Sequence, residues 1–322
     1  MSEQQPLMIR LLSASVAVAN RAGAVIRDVL KSGQLGVVHK GYDDPQTEAD
    51  RRAERCIVAT LTTRFPHVTI IGEESIPPTA ADLEAVVRED SPEVLREACP
   101  PDLTSVDEKD VVIWVDPLDG TGEFTKGFHE DVTVLVGIAV EGKPVAGVIH
   151  QPFYGTMAGL PTAQQGRTVW GMLGLGVRGI VPRPSPEHGG LRLAVSRSHY
   201  SGTVERVTEC LQAKEKVIAG GAGNKILMVL ENVVDAYIYP SPGTKRWDTC
   251  AGDAIVRAAG GAVTDVHGRD LVYDPVTPVP STGDQSGFVQ RCMNSQGVLV
   301  GMKGLEDLRA KIPEDVLRSL SK

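Results

Sequence analysis

Apolar residues return at helical spacing along residues 7–30. Leu12, Val16, Ala19, Ala22, Ile26 and Val29 fall on one stripe and predict an amphipathic first helix. A second helix is expected from TEADRRAERCIVATL, where Thr47 can cap and Asp50, three residues on, sits near the positive helix end. HVTIIGEE then reads as a strand running into Glu73 and Glu74. VVIWV is the next strand, and VTVLVGIAV with PVAGVIHQP, separated by Glu-Gly-Lys, reads as a hairpin. Between GEE and VVIWV lies an acidic, proline-bearing segment, Ser75 to Asp110, in which DLEAVV and SPEVLREA predict short surface helices.

Near residue 155 the pattern changes. LRLAV, KVIAGG, DAYIYP, GAVTDV and GVLVGM predict short strands, with helices at GTVERVTECLQA, NKILMVLEN and WDTCAGDAIVRAA between several of them. Two halves are therefore expected, an N-terminal α+β half over 1–154 and a C-terminal α/β half over 155–322. Residues 274–286, rich in Pro, Ser and Gly, read as a loop.

Composition narrows the function classes. The 322 residues are 42% hydrophobic and 23% charged, ordinary material for a soluble globular chain. No apolar run approaches the roughly 20 residues of a membrane helix, and MSEQQPLMIR lacks a basic segment followed by a long apolar one, so a cytoplasmic protein without a membrane partner is expected. Five cysteines, scattered and never spaced CxxC, argue against both a disulfide framework and a zinc site. The net charge is −8, and residues 75–110 alone hold ten acids against Arg88, Arg96 and Lys109. Nothing forms the basic stripe that a nucleic-acid polymer requires, whereas a small anionic substrate stays open.

Several motifs compete to carry chemistry. GLGVRG, with Gly174, Gly176 and Gly179, matches GxGxxG, but Pro182, Pro184 and Pro186 stand where the dinucleotide-binding helix should continue. No GxSxG elbow or Walker lysine loop is present. The acids at element ends differ from these. Glu73 ends one expected strand, Asp116 ends another, Asp119 follows it, and Asp248 opens a helix, so several carboxylates point toward one sheet edge. Such charge is costly in a folded site unless cations neutralise it, and hard oxygen ligands suit Mg²⁺. Pro117 stiffens the turn, Gly120 permits close backbone approach, and Thr121 stands where a helix start could meet a phosphate. Singly, each acid has an ordinary reading as turn former, helix cap or solvated surface; the joint pattern favours metal.

IIGEES, WVDPLDGTGEF and KRWDTCAGDAI, in this order and at these separations, resemble the three motifs of the magnesium-dependent, lithium-sensitive phosphomonoesterases of the inositol monophosphatase family. DDPQTEAD, the acidic insertion, SRSHY, GGAGNK and SPGTKRWDTC are similar to the bisphosphate nucleotidase branch of it. The resemblance runs from about residue 8 to the C-terminal region and implies a five-layer αβαβα sandwich. It implies two Mg²⁺ ions, with a third weakly held, and inhibition by Li⁺. Glu73, Asp116 and the Leu118 carbonyl would ligate one ion; Asp116, Asp119 and Asp248 would hold the second. Asp50 and Thr47 would orient or deprotonate the attacking water, assisted by Thr121. Gly120, Thr121, Ser196, His199, Gly221 and Lys225 match positions that hold the nucleotide, with Lys225 a partner for the phosphate that does not react. The implied reaction is removal of the 3′-phosphate of 3′-phosphoadenosine 5′-phosphate; an inositol polyphosphate 1-phosphatase and a non-catalytic nucleotide-binding regulator are the alternatives. Trp247 is expected to pack and fix the backbone of Asp248, and Glu74 to act through water or not at all. Two features depart from the branch: Gly252-Asp253 stands where close nucleotidases often carry Pro-Glu, and the 274–291 stretch is longer and more polar.

Overall fold

Alternation along the strand Val111–Asp119 sorts the molecule into layers. Val111, Ile113 and Val115 join one apolar core while Val112 and Trp114 join another, as the two-residue period of a strand buried on both faces dictates. The computed structural model describes residues 5–41, 44–156, 159–160, 165–184, 189–198, 202–277 and 286–320. Among them the helices are α1 (Leu7–Ser32), α2 (Glu48–Arg64), α3 (Ala80–Glu84), α4 (Thr121–Lys126), α5 (Gly202–Cys210), α6 (Ala222–Leu230), α7 (Arg246–Ala258), α8 (Ser286–Cys292), α9 (Leu305–Ala310) and α10 (Glu314–Ser319). The strands are β1 (Val38–Gly41), β2 (Asp44–Gln46), β3 (Thr69–Gly72), β4 (Val111–Asp119), β5 (Thr133–Val140), β6 (Lys143–Gln151), β7 (Arg167–Met172), β8 (Gly176–Arg178), β9 (Arg192–Ser196), β10 (Glu215–Ala219), β11 (Ala236–Tyr239), β12 (Ala262–Thr264) and β13 (Val298–Gly301).

Strands β3 to β8 form a six-stranded sheet in sequence order, parallel between β3 and β4 and antiparallel elsewhere. A five-stranded sheet runs β10-β9-β11-β13-β12, parallel across β10, β9 and β11 and antiparallel beyond. Helices α1 and α2 cover the outer face of the first sheet, α6 and α7 fill the space between the sheets, and α5, α9 and α10 cover the outer face of the second. This is the five-layer αβαβα sandwich that the motifs imply.

Helix α7 approaches the first sheet more closely than side chains would allow. Trp114, Gly137, Gly147 and Gly171 lie side by side across β4 to β7, so three glycines make a smooth track. A Cβ on Gly147 would stand 2.1 Å from the Ala251 carbonyl oxygen, and one on Gly137 would stand 2.5 Å from the Ala251 amide nitrogen. The helix backbone therefore rests on bare strand, and this fixes how far the α7 start projects past the end of β4.

The structure departs from the expectations in three places. The first sheet continues past the expected division at 154, because β6 turns back antiparallel into β7 and β8. GLGVRG, as the prolines after it lead one to expect, is no strand-to-helix phosphate loop; it makes the β7–β8 turn and part of β8. Residues 75–110 keep only α3 and three-residue 3₁₀ turns at Val94–Arg96, Pro101–Leu103 and Glu108–Asp110; Val94 and Leu103 insert into the first core and Asp90 pairs with Arg64. Helix α1 is long and apolar enough by length and composition to cross a membrane, although polar residues such as Ser13, Ser15 and Asn20 interrupt its apolar run; 72% of its most apolar window is buried inside this fold.

Overpacking at the glycine track gives a direct check of the layering. Gly147→Ala should destabilise the chain by about 2–3 kcal/mol, read as a lowered denaturation midpoint. An unchanged midpoint would contradict the contact of α7 with β6.

Candidate active site

The first acid-bearing turn forms because β4 cannot stay in register to its end. Asp116 pairs with Leu135 but Asp119 pairs with Thr133, so one extra residue bulges out between them. The bulge is stabilised by the Leu118 amide donating to Asp116 Oδ1 at 3.0 Å. Gly120 then takes φ +92°, open to glycine and strained for other residues, and turns the chain into α4. Thr121 Oγ1, at the start of α4, lies 2.8 Å from Asp50 Oδ1 and 3.0 Å from the Leu118 carbonyl.

Asp50 arrives from the capped start of α2. Its Oδ2 accepts the Thr47 amide at 2.7 Å and the Thr47 hydroxyl, and the Ala49 amide donates to Thr47 Oγ1. Capping leaves Oδ1 for Thr121, so the ordinary helix-cap role and the site role coexist in one fully buried carboxylate. Glu73 follows β3, where its amide continues the parallel ladder to the Val115 carbonyl at 3.1 Å. Beneath it, buried Glu54 accepts the amides of Glu74 and Ile76 at 2.8 and 2.9 Å and shapes the GEES turn.

Asp119 and Asp248 bring in the second half. Asp119 accepts the Ala222 and Gly223 amides at 2.9 and 2.8 Å and the Thr133 hydroxyl at 2.7 Å, a three-donor tie between β4 and the start of α6. Asp248 Oδ2 accepts the Lys245 amide at 2.8 Å, capping α7, and Trp247 packs below it against Trp114 and Phe288. A polar chain supports this turn: Asn294 Nδ2 donates to Thr244, Lys245 and Thr249, and the Tyr273 hydroxyl links Thr249 to Asp253. Asp253 is thus a buried structural acid paired with Arg257, beside Gly252, where a Cβ would strike Ile226.

One cleft collects these groups. Glu73, Asp116, Leu118, Asp119, Gly120, Thr121, Ser196, Gly221, Lys225 and Asp248 all line it. Asp50 and Thr47 stand behind Thr121, and His199 lies outside the described residues, as do residues 278–285 of the long polar stretch. Lys225 is buried, donating to the Gly221 carbonyl at 2.5 Å with its ammonium over Tyr237, so it is not a solvated helix charge.

Burial sets the electrostatics. Asp116 is pushed well above the usual carboxylate range by burial and by Glu73, Asp119 and Asp248 around it. Burial, followed by repulsion from Glu73 and Asp119, lifts Asp248 to about 7. Asp50 rises to about 6, burial outweighing the hydrogen bonds from Thr47 and Thr121. Burial lowers Lys225, against the pull of Asp119, Glu123 and Asp131.

Cations partly answer this charge. Lys40, on β1, places its ammonium 3.0 Å from both Glu73 Oε1 and Glu74 Oε1, and these acids overcome its burial to hold it above its ordinary value. Lys245 is likewise held up by Asp248 and Glu73. Among the described residues no three Asp, Glu, His or Cys side chains close on a single ion-sized point as they stand. The donor set still fits hard cations: carboxylates and a carbonyl, crowded until Asp116 resists ionisation, with an ammonium already seated on Glu73. Lys40, Lys245 and Glu54 are the site residues that sequence reading missed. Glu54 carried a readable signal, one helical turn after Asp50 on the same face, whereas Lys40 reaches the acids only through the β1–β2 hairpin.

The inositol monophosphatase family model matches residues 8–314. A 3′(2′),5′-bisphosphate nucleotidase 1 from Rattus norvegicus is 41% identical over 324 residues, covering 99% of each chain, and the Homo sapiens protein of that name is 40% identical with the same coverage. Inositol monophosphatase-II from Staphylococcus aureus has the same fold, with TM-score 0.62 at 17% identity over 94% of this chain and 93% of that one. A 2′AMP-bound SaIMPase-II gives TM-score 0.61 at 17% identity over 94% of each chain.

The raised acids predict a pH dependence. Glu54, lifted to about 7 by burial, and Asp248, also near 7, keep protons in the folded chain that the unfolded chain has released. Stability therefore falls as pH rises through this window. His150, buried neutral down to about 3, acts oppositely but only below its ordinary value. With a chelator present, the melting temperature should drop as pH rises from about 5, above the unfolded carboxylate range, to about 7, where these acids ionise in the folded chain, and Glu54→Gln should flatten the drop. A melting temperature that climbs across that interval would contradict the burial of these acids.

Proposed function

The chain belongs to the inositol monophosphatase family, and from that premise we propose that it hydrolyses the 3′-phosphate of 3′-phosphoadenosine 5′-phosphate, giving AMP and inorganic phosphate. The observation that carries this reading is Thr121, hydrogen-bonded to the buried Asp50 behind it, lining one cleft with Asp116 and Asp119. The end-to-end likeness to proteins named bisphosphate nucleotidase supports the substrate class, and the 2′AMP-bound neighbour is in keeping with a small nucleotide.

In this reading Glu73, Asp116 and the Leu118 carbonyl hold one Mg²⁺ and Asp116, Asp119 and Asp248 a second, with a third weakly held near Asp50 and Thr121. When bound, the ions supply Lewis-acid stabilisation of the phosphoryl oxygens and acidify water. The chain's own groups do the positioning. Thr121 Oγ1, hydrogen-bonded to Asp50 Oδ1, orients the water whose oxygen attacks phosphorus in line. Asp50, raised to about 6, receives the water's proton through Thr121 while Thr47 holds the far oxygen of the carboxylate. The bond from phosphorus to the ribose oxygen breaks, and that oxygen leaves with the electron pair and takes a proton from a solvent water, while Asp50 later returns its proton to solvent. Ser196, His199, Gly221 and Lys225 hold the remainder of the nucleotide, Lys225 facing the second phosphate.

Phosphate release from 3′-phosphoadenosine 5′-phosphate and from an inositol bisphosphate, measured side by side with Mg²⁺, tests the proposal. The nucleotide should be the better substrate, and Li⁺ should inhibit its turnover. Asp116→Asn should lower kcat by at least about 1,000-fold while the fold survives. Preference for the inositol compound would assign the chain to the polyphosphate phosphatases instead, and nucleotide binding without phosphate release would make it a regulator.

A further inference from the structure

Glu123 is an acid the mechanism does not use, yet it lines the same cleft as Asp119, Gly120 and Thr121. It sits on α4 two residues beyond Thr121 and is only 5% exposed. Its stem lies flat on Gly220, where a Cβ would stand 2.2 Å from Glu123 Cγ and 2.3 Å from Cδ. Oε1 accepts the Ser198 hydroxyl at 2.7 Å, which fixes the carboxylate plane and ties α4 to the loop after β9. Oε2 has no donor among the described residues and lies beside the Gly120 turn, 3.7 Å from where a Cβ on Gly120 would be.

Once a phosphate ester fills the cleft and displaces its water, a fixed carboxylate oxygen there is unfavourable unless it accepts a hydrogen bond. The phosphate dianion has no hydrogen to offer. A hydroxyl on the neighbouring sugar carbon does, and it reaches the space just beside the ester oxygen. The 3′(2′) in the relatives' name describes phosphates at either ribose position, and each of these leaves the other hydroxyl free, cis and vicinal.

We propose that Glu123 is a specificity-determining residue that accepts a hydrogen bond from the sugar hydroxyl vicinal to the scissile phosphate, so that the cleft selects monoesters of cis-vicinal diols. This rests on the phosphatase reading given above. The test compares kcat/KM for 3′-phosphoadenosine 5′-phosphate and its 2′-deoxy analogue, with the full chain and Mg²⁺. The unaltered protein should favour the ribonucleotide by roughly 10- to 100-fold, the range of a hydrogen bond to a charged acceptor. Glu123→Ala should bring the two within about threefold, and Glu123→Gln, which still offers an amide oxygen, should fall between. The ratio does not depend on the fraction of folded protein, because both compounds meet the same preparation. Turnover of both compounds at similar efficiency by the unaltered chain would overturn this inference alone. So would a Glu123→Ala variant that slows both equally and keeps the ratio. Turnover of neither would overturn the phosphatase reading and this one with it.

Discussion

Carboxylates drawn out of water into one cleft cannot all keep their charge unless positive charge sits among them. Glu73, Asp116, Asp119 and Asp248 meet under that constraint, and the structure answers it in several ways at once. Lys40 and Lys245 are held charged beside Glu73, the amides of Ala222 and Gly223 donate to Asp119, and Asp116 is left resisting ionisation. What remains unneutralised is the capacity for hard cations, which is the chemistry a phosphate ester needs beside it.

The sandwich exists, in this light, to bring the acids together from distant parts of the chain. A bulge at the end of β4 sets Asp116 and Asp119 on one side, and the GEES turn, shaped by Glu54, sets Glu73 next to them. The glycine track of Gly137, Gly147 and Gly171 lets α7 lie low enough for Asp248 to reach the same cleft. Asp119 binds the two halves directly through the start of α6. Helix capping and site building share residues here: Asp50 caps α2 with one oxygen and holds Thr121 of the cleft with the other, and Asp248 caps α7 with one oxygen while lining the cleft itself.

Much of this was legible because burial leaves a periodic trace. The helical spacing of α1, the short apolar run VVIWV, the hairpin around Glu-Gly-Lys and the capped start of α2 are local signals, and all four are present in the structure. Legibility ended where placement depends on distant partners. The β1–β2 hairpin carries Lys40 to the acids but is short and exposed, with no apolar rhythm to betray it. The fate of residues 75–110 depends on single anchors, Val94 and Leu103, entering a core that α1 and α2 create. GLGVRG matches a phosphate loop, but the prolines after it already argue against the helix such a loop needs, and the structure makes it a strand turn. Helices α9 and α10 at the C-terminal end close the outer core through Leu308, Ile312 and Val316, which local pattern alone did not single out.

Burial and mutual repulsion favour protons on Asp116 and Asp248, so a cation entering the cleft must displace them. Calorimetric titration of Mg²⁺ into chelator-stripped protein near neutral pH, repeated in buffers of different ionisation enthalpy, counts the protons expelled on binding. Saturable binding with net proton release, reduced when Asp116 is replaced by Asn, is the predicted result. Absence of saturable binding, or binding with no proton released, would contradict it.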